Sequence, residues 1–283
     1  MRYVICGLLA ACVASPAFAQ TTGTAAALPS PEEIASRDSL TIGLGGAVTP
    51  DYEGSNDYRI IPAGAIRGKV HGVSFSTRGT YLFVDVVPAS GKFEFDAGPI
   101  VGARLNHRTH IKDDIVELLP RRKTAIEVGG FAGVSFHGLT NPYDTLALHL
   151  DVLHDVGNAH KSTTFSPNLE FSTPLSRTTY VGASLGAEFV GNKYADYYFS
   201  ISPADSVATG GLLPPFNADG GMKNWKAGLL LNQSLSGDLL HGISVFGAGQ
   251  YSRLVGDFKR SPIVSDRGSA NQWIGALGLA YTW

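Results

Sequence analysis

The sequence predicts an all-β protein, a closed antiparallel transmembrane β-barrel of about 12 strands, within a range of 10 to 14. Three observations lead to this fold class. Apolar residues occupy every second position in long segments, 34 glycines and 10% aromatic residues accompany only two methionines, and the N-terminus has the pattern of an export signal. Strands and tight turns explain such a composition better than helices do.

Residues 1–19 have the pattern of a secretory signal peptide. Arg2 supplies a positive charge, residues 4–13 are almost entirely apolar, and Ala17-Phe18-Ala19 forms a small-x-small cleavage site. A membrane anchor is the weaker interpretation, because the apolar core is shorter than the roughly 20 residues that span a bilayer. A second alternative is a lipoprotein signal with the lipid on Cys12, although that signal would be unusually short. We therefore expect cleavage after Ala19.

Composition also excludes several classes of function. Cys6 and Cys12 are the two cysteines and both lie within the predicted signal peptide, so the exported chain would hold no disulfide. The formal net charge is −2 and the pI is about 6.4, and no basic run stands out. Proteins that bind nucleic acid usually have a strongly basic face. We therefore expect no nucleic-acid partner.

The exported chain divides into two parts. Residues 20–38 mix Thr, Ala, Pro, Ser and Glu without periodicity, which predicts a flexible periplasmic leader or a short helix below the main fold. Residues 39–283 form the predicted barrel domain, and no window within it is apolar over 18 consecutive residues, so transmembrane helices are not expected.

Alternation is clearest in residues 92–106 and in the C-terminal segment. In 92–106, Phe93, Phe95, Val101 and Leu105 share one face, while charged and small residues fill most of the other. Strands in soluble sandwiches average about five or six residues, whereas these run to about ten or fifteen. A membrane-spanning strand needs about 9 to 11 residues. Length therefore favours an outer-membrane barrel over a soluble sandwich or a lipocalin-like fold.

Twelve strands are predicted, and an even number places both termini on the periplasmic side of the outer membrane of a Gram-negative cell. Two segments stay ambiguous: 177–201 is either one long strand or two, and 72–87 is either one strand or two. The predicted strands are 39–49, 57–68, 72–87, 91–106, 123–138, 143–156, 160–173, 177–191, 193–201, 223–236, 240–254 and 269–283.

The positions that alternate with the apolar ones are predicted to line the lumen. Two interpretations stay open: the charges line a cation-tolerant water channel, or they form salt bridges that plug a narrow lumen, which is the favoured one. The predicted lumen charges are Glu94, Asp96, Arg104, Glu127, Asp151, Glu170, Glu188 and Lys226, together with His137 and His149.

At the C-terminal strand, Trp273, Tyr281 and Trp283 are predicted to anchor the barrel at the membrane interfaces. The fold class implies contacts with outer-membrane lipid and lipopolysaccharide. It also implies recognition of the C-terminal strand by the barrel assembly machinery.

Neither catalysis nor a metal or other cofactor is predicted. The pairs His107/His110 and His149/His154 have usable spacings, but strand residues three or five apart point to opposite faces, and no carboxylate completes a known ligand pattern. Ser, His and Asp are all present, as in any chain of this length, so their presence alone does not indicate a hydrolase.

Several segments resemble a known family. The run Pro50-Asp51-Tyr52-Glu53-Gly54-Ser55-Asn56-Asp57-Tyr58-Arg59, after Thr41–Gly46, resembles the N-terminal signature of the MltA-interacting protein/OmpV family of outer-membrane proteins. The acidic pair often seen in that signature is Asn56-Asp57 here, and the last residue is Trp rather than Phe. Further similarity lies in Gly220-Gly221-Met222, Leu254–Asp257, Ser261–Val264 and Gly278–Trp283.

The resemblance implies an outer-membrane barrel whose named member is a scaffold joining a lytic transglycosylase, which degrades murein, to a murein synthase. Other members are described as osmoregulated porin-like proteins or adhesins. No catalytic residues carry over. The expectation is therefore a scaffold in peptidoglycan remodelling, with a porin for small solutes or ions, an osmoregulated channel, or an adhesin as alternatives.

Overall fold

The computed structural model describes residues 29–88, 91–106 and 110–283. The predicted signal peptide, its cleavage site and most of the leader lie outside these residues. The described part of the chain forms one closed sheet of twelve antiparallel strands, in which each strand pairs with its sequence neighbours and the first pairs with the last. The predicted closed antiparallel barrel of about 12 strands is therefore confirmed.

Five short helices accompany the strands, and none of these described helices is long and apolar enough to cross a membrane. In chain order the elements are α1 (Pro31–Ser36), β1 (Ser39–Pro50), β2 (Tyr58–Val70), β3 (Val73–Arg78), β4 (Tyr81–Asp85), β5 (Phe93–Arg104), a 3-10 helix (Val116–Leu118), β6 (Ala125–His137), β7 (Thr145–Asp155), β8 (Thr163–Pro174), β9 (Thr179–Val190), α2 (Asn192–Phe199), α3 (Pro203–Ala208), β10 (Gly221–Ser234), β11 (Gly242–Leu254), α4 (Gly256–Arg260), α5 (Pro262–Ser265) and β12 (Asn271–Thr282).

Two errors in the predicted strands cancel in the total of twelve. The predicted strand 193–201 is wrong: most of it is helix α2, whose Tyr194, Tyr198 and Phe199 are buried in the protein interior. Segment 72–87 holds two strands, β3 and β4, because Gly79 takes a left-handed conformation (φ +59°) that turns the chain back.

The barrel closes where β1 meets β12. Eight residue pairs run from Thr41 opposite Thr282 to Val48 opposite Gly275, and the hydroxyls of Thr41 and Thr282 lie 2.9 Å apart. Beyond the ladder, the Trp283 amide donates to the Leu40 carbonyl at 2.9 Å. Closure leaves no free sheet edge, which a lipid environment requires because exposed backbone groups find no water there.

The outer face of the barrel is strongly apolar. Leu44, Leu229 and Leu277 expose 71%, 71% and 65% of their surface, and similar exposed Leu, Ile, Val and Phe side chains occur around the wall. A soluble monomer rarely exposes apolar surface on this scale. Alternate residues face inward, so the strands separate an apolar exterior from a polar interior.

Aromatic residues occur near both ends of the wall. Trp273 stacks with Tyr251 near one end of β12, with ring centroids 4.8 Å apart, and Tyr281 packs on Trp283 at the other end, at 4.5 Å. The ten residue-to-residue steps from Trp273 to Trp283 span about 33 Å along the strand at the usual rise. Allowing for the strand tilt of such barrels, this matches an apolar band of roughly 25 Å.

The two ends of the barrel differ in their connections. One end, here called the long-loop end, carries the connections 51–57, 105–106 with 110–124, 156–162, 191–220 and 255–270, and also every described helix except α1. The opposite end, the short-turn end, carries turns of at most seven residues, such as 71–72 and 138–144, together with the beginning of β1 and the end of β12.

At the short-turn end, residues 29–38 lie across the opening. Ser30 and Glu33 form a capping box that starts α1. The Tyr143 hydroxyl, in the turn between β6 and β7, donates to the Pro29 carbonyl at 3.3 Å, and the His71 amide donates to Asp38 at 2.9 Å. Strand β1 lies opposite β6 and β7 in the ring of twelve, so this segment crosses the mouth of the barrel.

Candidate functional site at the capped end of the barrel

Four long connections pack together over the long-loop end to form what we call the cap: residues 51–57, 110–119, 191–220 and 255–270. Its centre is a cluster of buried apolar side chains that come from all four segments. Burial of each aromatic side chain in this cluster contributes about 1.5–3 kcal/mol to the free energy of folding. The largest of them are Tyr52, Tyr194, Tyr198, Phe199, Leu213, Phe258 and Ile263.

Hydrogen bonds tie the cap segments to one another. Tyr52 donates its hydroxyl to the Ile263 carbonyl at 3.0 Å, and Asp51 accepts from the Lys112 amide at 2.7 Å. Ser261 donates to the carbonyl of Phe199 at 2.5 Å. Burial raises the pKa of the Tyr52 hydroxyl, so this group stays protonated and keeps its role as a donor.

Below the cap, three charged side chains of the barrel wall meet. Arg104 at the end of β5 bonds to Glu127 of β6 through Nε at 3.1 Å and to Glu188 of β9 through Nη2 at 2.9 Å. All three side chains occupy inward-facing positions, and β5 and β9 are not adjacent in the sheet, so the contact of Arg104 with Glu188 crosses the lumen.

A bulge in β10 adds a fourth charge. The register between β9 and β10 shifts between Met222 and Asn224, so that Lys223 also turns inward and is only 1% exposed. Its Nζ lies 2.6 Å from Glu188 and 2.5 Å from Glu53. Lys223 therefore links the wall to the cap.

Tyr194 of α2 completes the link between wall and cap. Its hydroxyl donates to Glu53 at 2.8 Å and accepts from Arg104 and Lys223 at 3.2 and 3.1 Å. Burial raises its pKa well above the usual tyrosine range, so this hydroxyl stays protonated as well.

Glu127 has partners of its own from two further elements. His160, in the connection between β7 and β8, places Nε2 at 2.8 Å from the carboxylate, and the Tyr81 hydroxyl donates to it. Glu127 and His160 side chains are fully buried. We call the whole set of Glu53, Tyr81, Arg104, Glu127, His160, Glu188, Tyr194 and Lys223 the buried network.

Burial of so many charges carries a large desolvation cost, which good geometry offsets only when every charged group has a partner. The network meets this condition, since each carboxylate in it bonds to at least one cation or hydroxyl. Removing one partner from such a set is expected to cost about 3–5 kcal/mol. The arrangement links the cap to the wall and crosses the lumen at this level.

Nearer the middle of the barrel lies a second, more exposed set of charges. Arg78 bonds to Glu170 at 3.0 Å and lies 2.9 Å from Nε2 of His149. His149 in turn contacts Asp151 at 2.8 Å. The Arg78 and Glu170 side chains are 40% and 37% exposed, in contrast to the buried network.

The eight predicted lumen charges thus fall at different levels of the inward-facing surface. Arg104, Glu127 and Glu188 belong to the buried network, and Asp151 and Glu170 to the second set. Lys226 faces inward without a carboxylate within salt-bridge distance among the described residues. Toward the short-turn end, Glu94 lies 3.2 Å from His137, and Asp96 accepts from Ser135 at 2.5 Å.

Sequence reasoning missed Lys223 and His160. Lys223 has the parity of an outward-facing residue, and only the bulge brings it inside. His160 lies outside the strands, so alternation gives no information about it. Glu53 stood within the turn-rich segment after β1, but its partners lie far away in the sequence, at positions 194 and 223.

The arrangement contains no recognisable catalytic or metal centre among the described residues. No group of three His, Cys, Asp or Glu side chains there is placed to hold a metal ion. The sequence does contain a Gly-x-Ser-x-Gly pattern at Gly182–Gly186, but Ser184 lies in the middle of strand β9. A nucleophile elbow requires the serine at a sharp turn between strand and helix.

Solved outer-membrane proteins of several kinds resemble this chain at low identity. An outer membrane channel from Pseudomonas putida F1 is 8% identical with a TM-score of 0.45, covering 94% of this chain and 100% of its own. OprD from Pseudomonas aeruginosa is 12% identical with a TM-score of 0.38, covering 85% and 65%. OpdK from Pseudomonas aeruginosa, solved with vanillate, is 11% identical with a TM-score of 0.35, covering 78% and 52%.

This chain thus spans about half of OpdK and just under two thirds of OprD. No functionally curated protein matches the sequence.

The family comparison covers most of the chain. Residues 42–283 match the family described as "MltA-interacting protein MipA". The segments that resembled this family in the sequence include Asp51–Asp57 and Ser261–Val264, and the structure brings these two together within the cap through the bond from Tyr52 to Ile263. The chain belongs to the MltA-interacting protein MipA family and is an outer-membrane β-barrel protein.

Proposed function

We propose that this protein is a non-enzymatic scaffold of the outer membrane that binds a lytic transglycosylase and, with it, a murein synthase during peptidoglycan remodelling. The observation that carries the proposal is the fastened cap, because a cap linked to the wall by buried ion pairs suits an anchored platform better than an open pore. The family description, which names an interaction with MltA, points the same way.

In this proposal the signal peptide is removed and the short-turn end faces the periplasm. The partner then meets the short turns and the leader. Residues 29–38 are well placed for this role, since they lie across the opening, where the Pro29 carbonyl accepts from Tyr143 and Asp38 accepts from the His71 amide.

In-cell crosslinking of a tagged copy, followed by identification of the captured proteins, tests the proposal. We expect a murein transglycosylase and a murein synthase among them. Capture of only assembly machinery, with lipid, would contradict the scaffold.

A leader variant shows which surface binds. Deletion of residues 20–38, with the signal peptide kept, is expected to weaken capture while the barrel still folds, as judged by its heat-dependent mobility in gels. A variant with residues 31–36 replaced by Gly and Ser at the same length is the matched control for spacing. Unchanged capture in both variants would show that the leader is not the binding surface.

We propose ion or small-solute passage as the second candidate, with the cap as its gate. It is favoured by Glu94 and Asp96, which face inward toward the short-turn end. Neutralising both as Glu94→Gln and Asp96→Asn is expected to reduce cation selectivity in planar bilayers. This second function would be excluded if a correctly refolded barrel never conducts ions, even when the cap is loosened.

A further inference from the structure

One outward-facing surface near the long-loop end combines a cation with aromatic rings. Trp225 pairs with Arg253 across β10 and β11, Arg253 pairs with Asn271 across β11 and β12, and Tyr251 pairs with Trp273. The ring centroid of Tyr251 lies 5.3 Å from the ring centroid of Trp225 and 4.8 Å from that of Trp273. We call these five residues the Arg253 patch.

Arg253 is held in position but its charge is not neutralised. Its Nη1 donates to Oδ1 of Asn271 at 2.6 Å, and the Tyr251 hydroxyl donates to the same oxygen at 2.7 Å. In contrast to Arg104 and Arg267, it has no carboxylate within salt-bridge distance in the described part of the chain. The remaining guanidinium N–H groups are therefore available to an anion from outside the protein.

The surface changes from polar to apolar along β11 toward the middle of the barrel. Gly249 and Gly247 follow Tyr251 on the outward face, and a Cβ atom at Gly249 would meet nothing within 4 Å. An open, largely apolar groove of 460 Å³ lies along β9 to β12. It is lined by Val181, Leu229, Leu231, Gly247 and Gly249, together with Leu230 and three small residues of these strands.

These features match the order of groups in a membrane lipid. An unneutralised arginine suits a phosphate, because its planar donors bond two oxygens at once. Tryptophan and tyrosine rings are typical of the interfacial layer between headgroups and acyl chains. The apolar groove continues from these rings toward the middle of the membrane, where an acyl chain would lie.

We propose that the Arg253 patch and the groove together bind one molecule of lipid A, the phosphorylated glycolipid of the outer leaflet. A phosphate lies on the Arg253 guanidinium, the sugar lies against Trp225 and Trp273, and one acyl chain lies over Gly249. This site rests on the orientation given under the proposed function, with the long-loop end outside. It does not depend on whether the partner at the other end is a transglycosylase.

Native mass spectrometry of the full exported chain, released from maltoside micelles after titration with lipid A, tests the site. We expect one lipid A to be retained with an affinity above that of further molecules. Arg253→Gln is expected to weaken that retention roughly tenfold, the effect of losing a charge-assisted contact. Gly249→Leu, whose Cβ has open space around it and whose side chain would occupy part of the groove, is expected to weaken it as well.

Arg67→Gln is the matched control, because Arg67 lies on β2 and faces the lumen of the barrel rather than the lipid. Its lipid A retention is expected to equal that of the unaltered protein. Equal retention by Arg253→Gln would overturn the proposal, provided that its heat-dependent gel mobility shows a folded barrel. Preference for phosphatidylglycerol over lipid A would overturn the assignment to the outer leaflet. If transglycosylase capture is lost while lipid A binding is retained, the result contradicts only the scaffold proposal.

Discussion

The two sets of lumen charges differ in their access to water, and this difference decides what each contributes. Glu127 and Lys223 of the buried network are 0% and 1% exposed, whereas Arg78 and Glu170 of the second set are 40% and 37% exposed. Both sets contain short ion pairs. In the first set a lost partner leaves a charge without water, whereas Arg78 and Glu170 keep contact with water, so the same kind of contact fastens the cap at one level and contributes little between these two side chains.

The strongest test of this comparison is Lys223→Met. Loss of the ammonium leaves Glu188 with fewer partners and Glu53 with only hydroxyl and amide contacts, so we expect the free energy of unfolding to fall by about 3–5 kcal/mol. Urea titration in detergent micelles measures this. Lys226→Met is the matched control on the same strand, because Lys226 has no carboxylate within salt-bridge distance among the described residues, and its effect is expected to be smaller. Equal losses would contradict the assignment of the fastening role to Lys223.

Lys223→Met also tests whether ions pass through the barrel. In planar bilayers, the unaltered protein is expected to be nearly silent, because the cap and the buried network fill the long-loop end. Lys223→Met is expected to show frequent openings, since the cap loses a link to the wall. A high steady conductance of the unaltered protein would show that the cap does not close the lumen.

Two neighbouring tyrosines of α2 provide a test of intermediate size. Tyr194→Phe removes a hydroxyl with three partners and is expected to cost about 1–3 kcal/mol of unfolding free energy. Tyr198→Phe is the control, because the Tyr198 hydroxyl is buried without a hydrogen-bond partner, and its removal is expected to be neutral or stabilising. The reverse order in urea titration would mean that the network is not formed as described.

A smaller effect is expected for Arg78→Gln in the second set. This change breaks the bond to Glu170 but leaves both positions in contact with water, so the cost is expected to stay below about 1 kcal/mol. The urea midpoint is to be compared with that of Lys223→Met under the same conditions. A loss as large as that of Lys223→Met would remove the distinction between the two sets.

The last test concerns pH at the short-turn end, outside both sets of charges. Asp144 accepts hydrogen bonds from Thr140 and from the amides of Leu139 and Asn141, which lower its pKa from 3.8 to about 2. A carboxyl whose pKa is lower in the folded state stabilises the fold above its ordinary pKa, and this contribution is lost as pH falls through about 4 to 2. Asp144→Asn is therefore expected to lower stability at pH 7 but not near pH 2.

Urea titration of Asp144→Asn at the two pH values checks this prediction. Thr140→Val, which removes one donor, is expected to show a weaker form of the same pH dependence. A difference between Asp144→Asn and the unaltered protein that persists unchanged at pH 2 would show that the carboxylate charge is not the cause.

Taken by itself, the sequence determined the closed barrel, because side chains alternate between the two faces of a strand and this period is local. It placed most strand boundaries within a few residues, and twelve strands resulted although one predicted strand is a helix. The aromatic residues of α2 are as suited to a strand as to a helix. Their burial under the cap favours the helix, and this burial depends on contacts that a local sequence pattern does not show.

The same alternation placed Arg104, Glu127 and Glu188 on one face of their strands, but it did not reveal which charges meet. That was decided by tertiary structure, since closure of the barrel brings together residues as distant as Glu53, Arg104 and Lys223. The β10 bulge turned Lys223 inward against its parity. Alternation specifies the face of each residue, whereas neutralisation of a buried charge depends on partners that only the folded chain supplies.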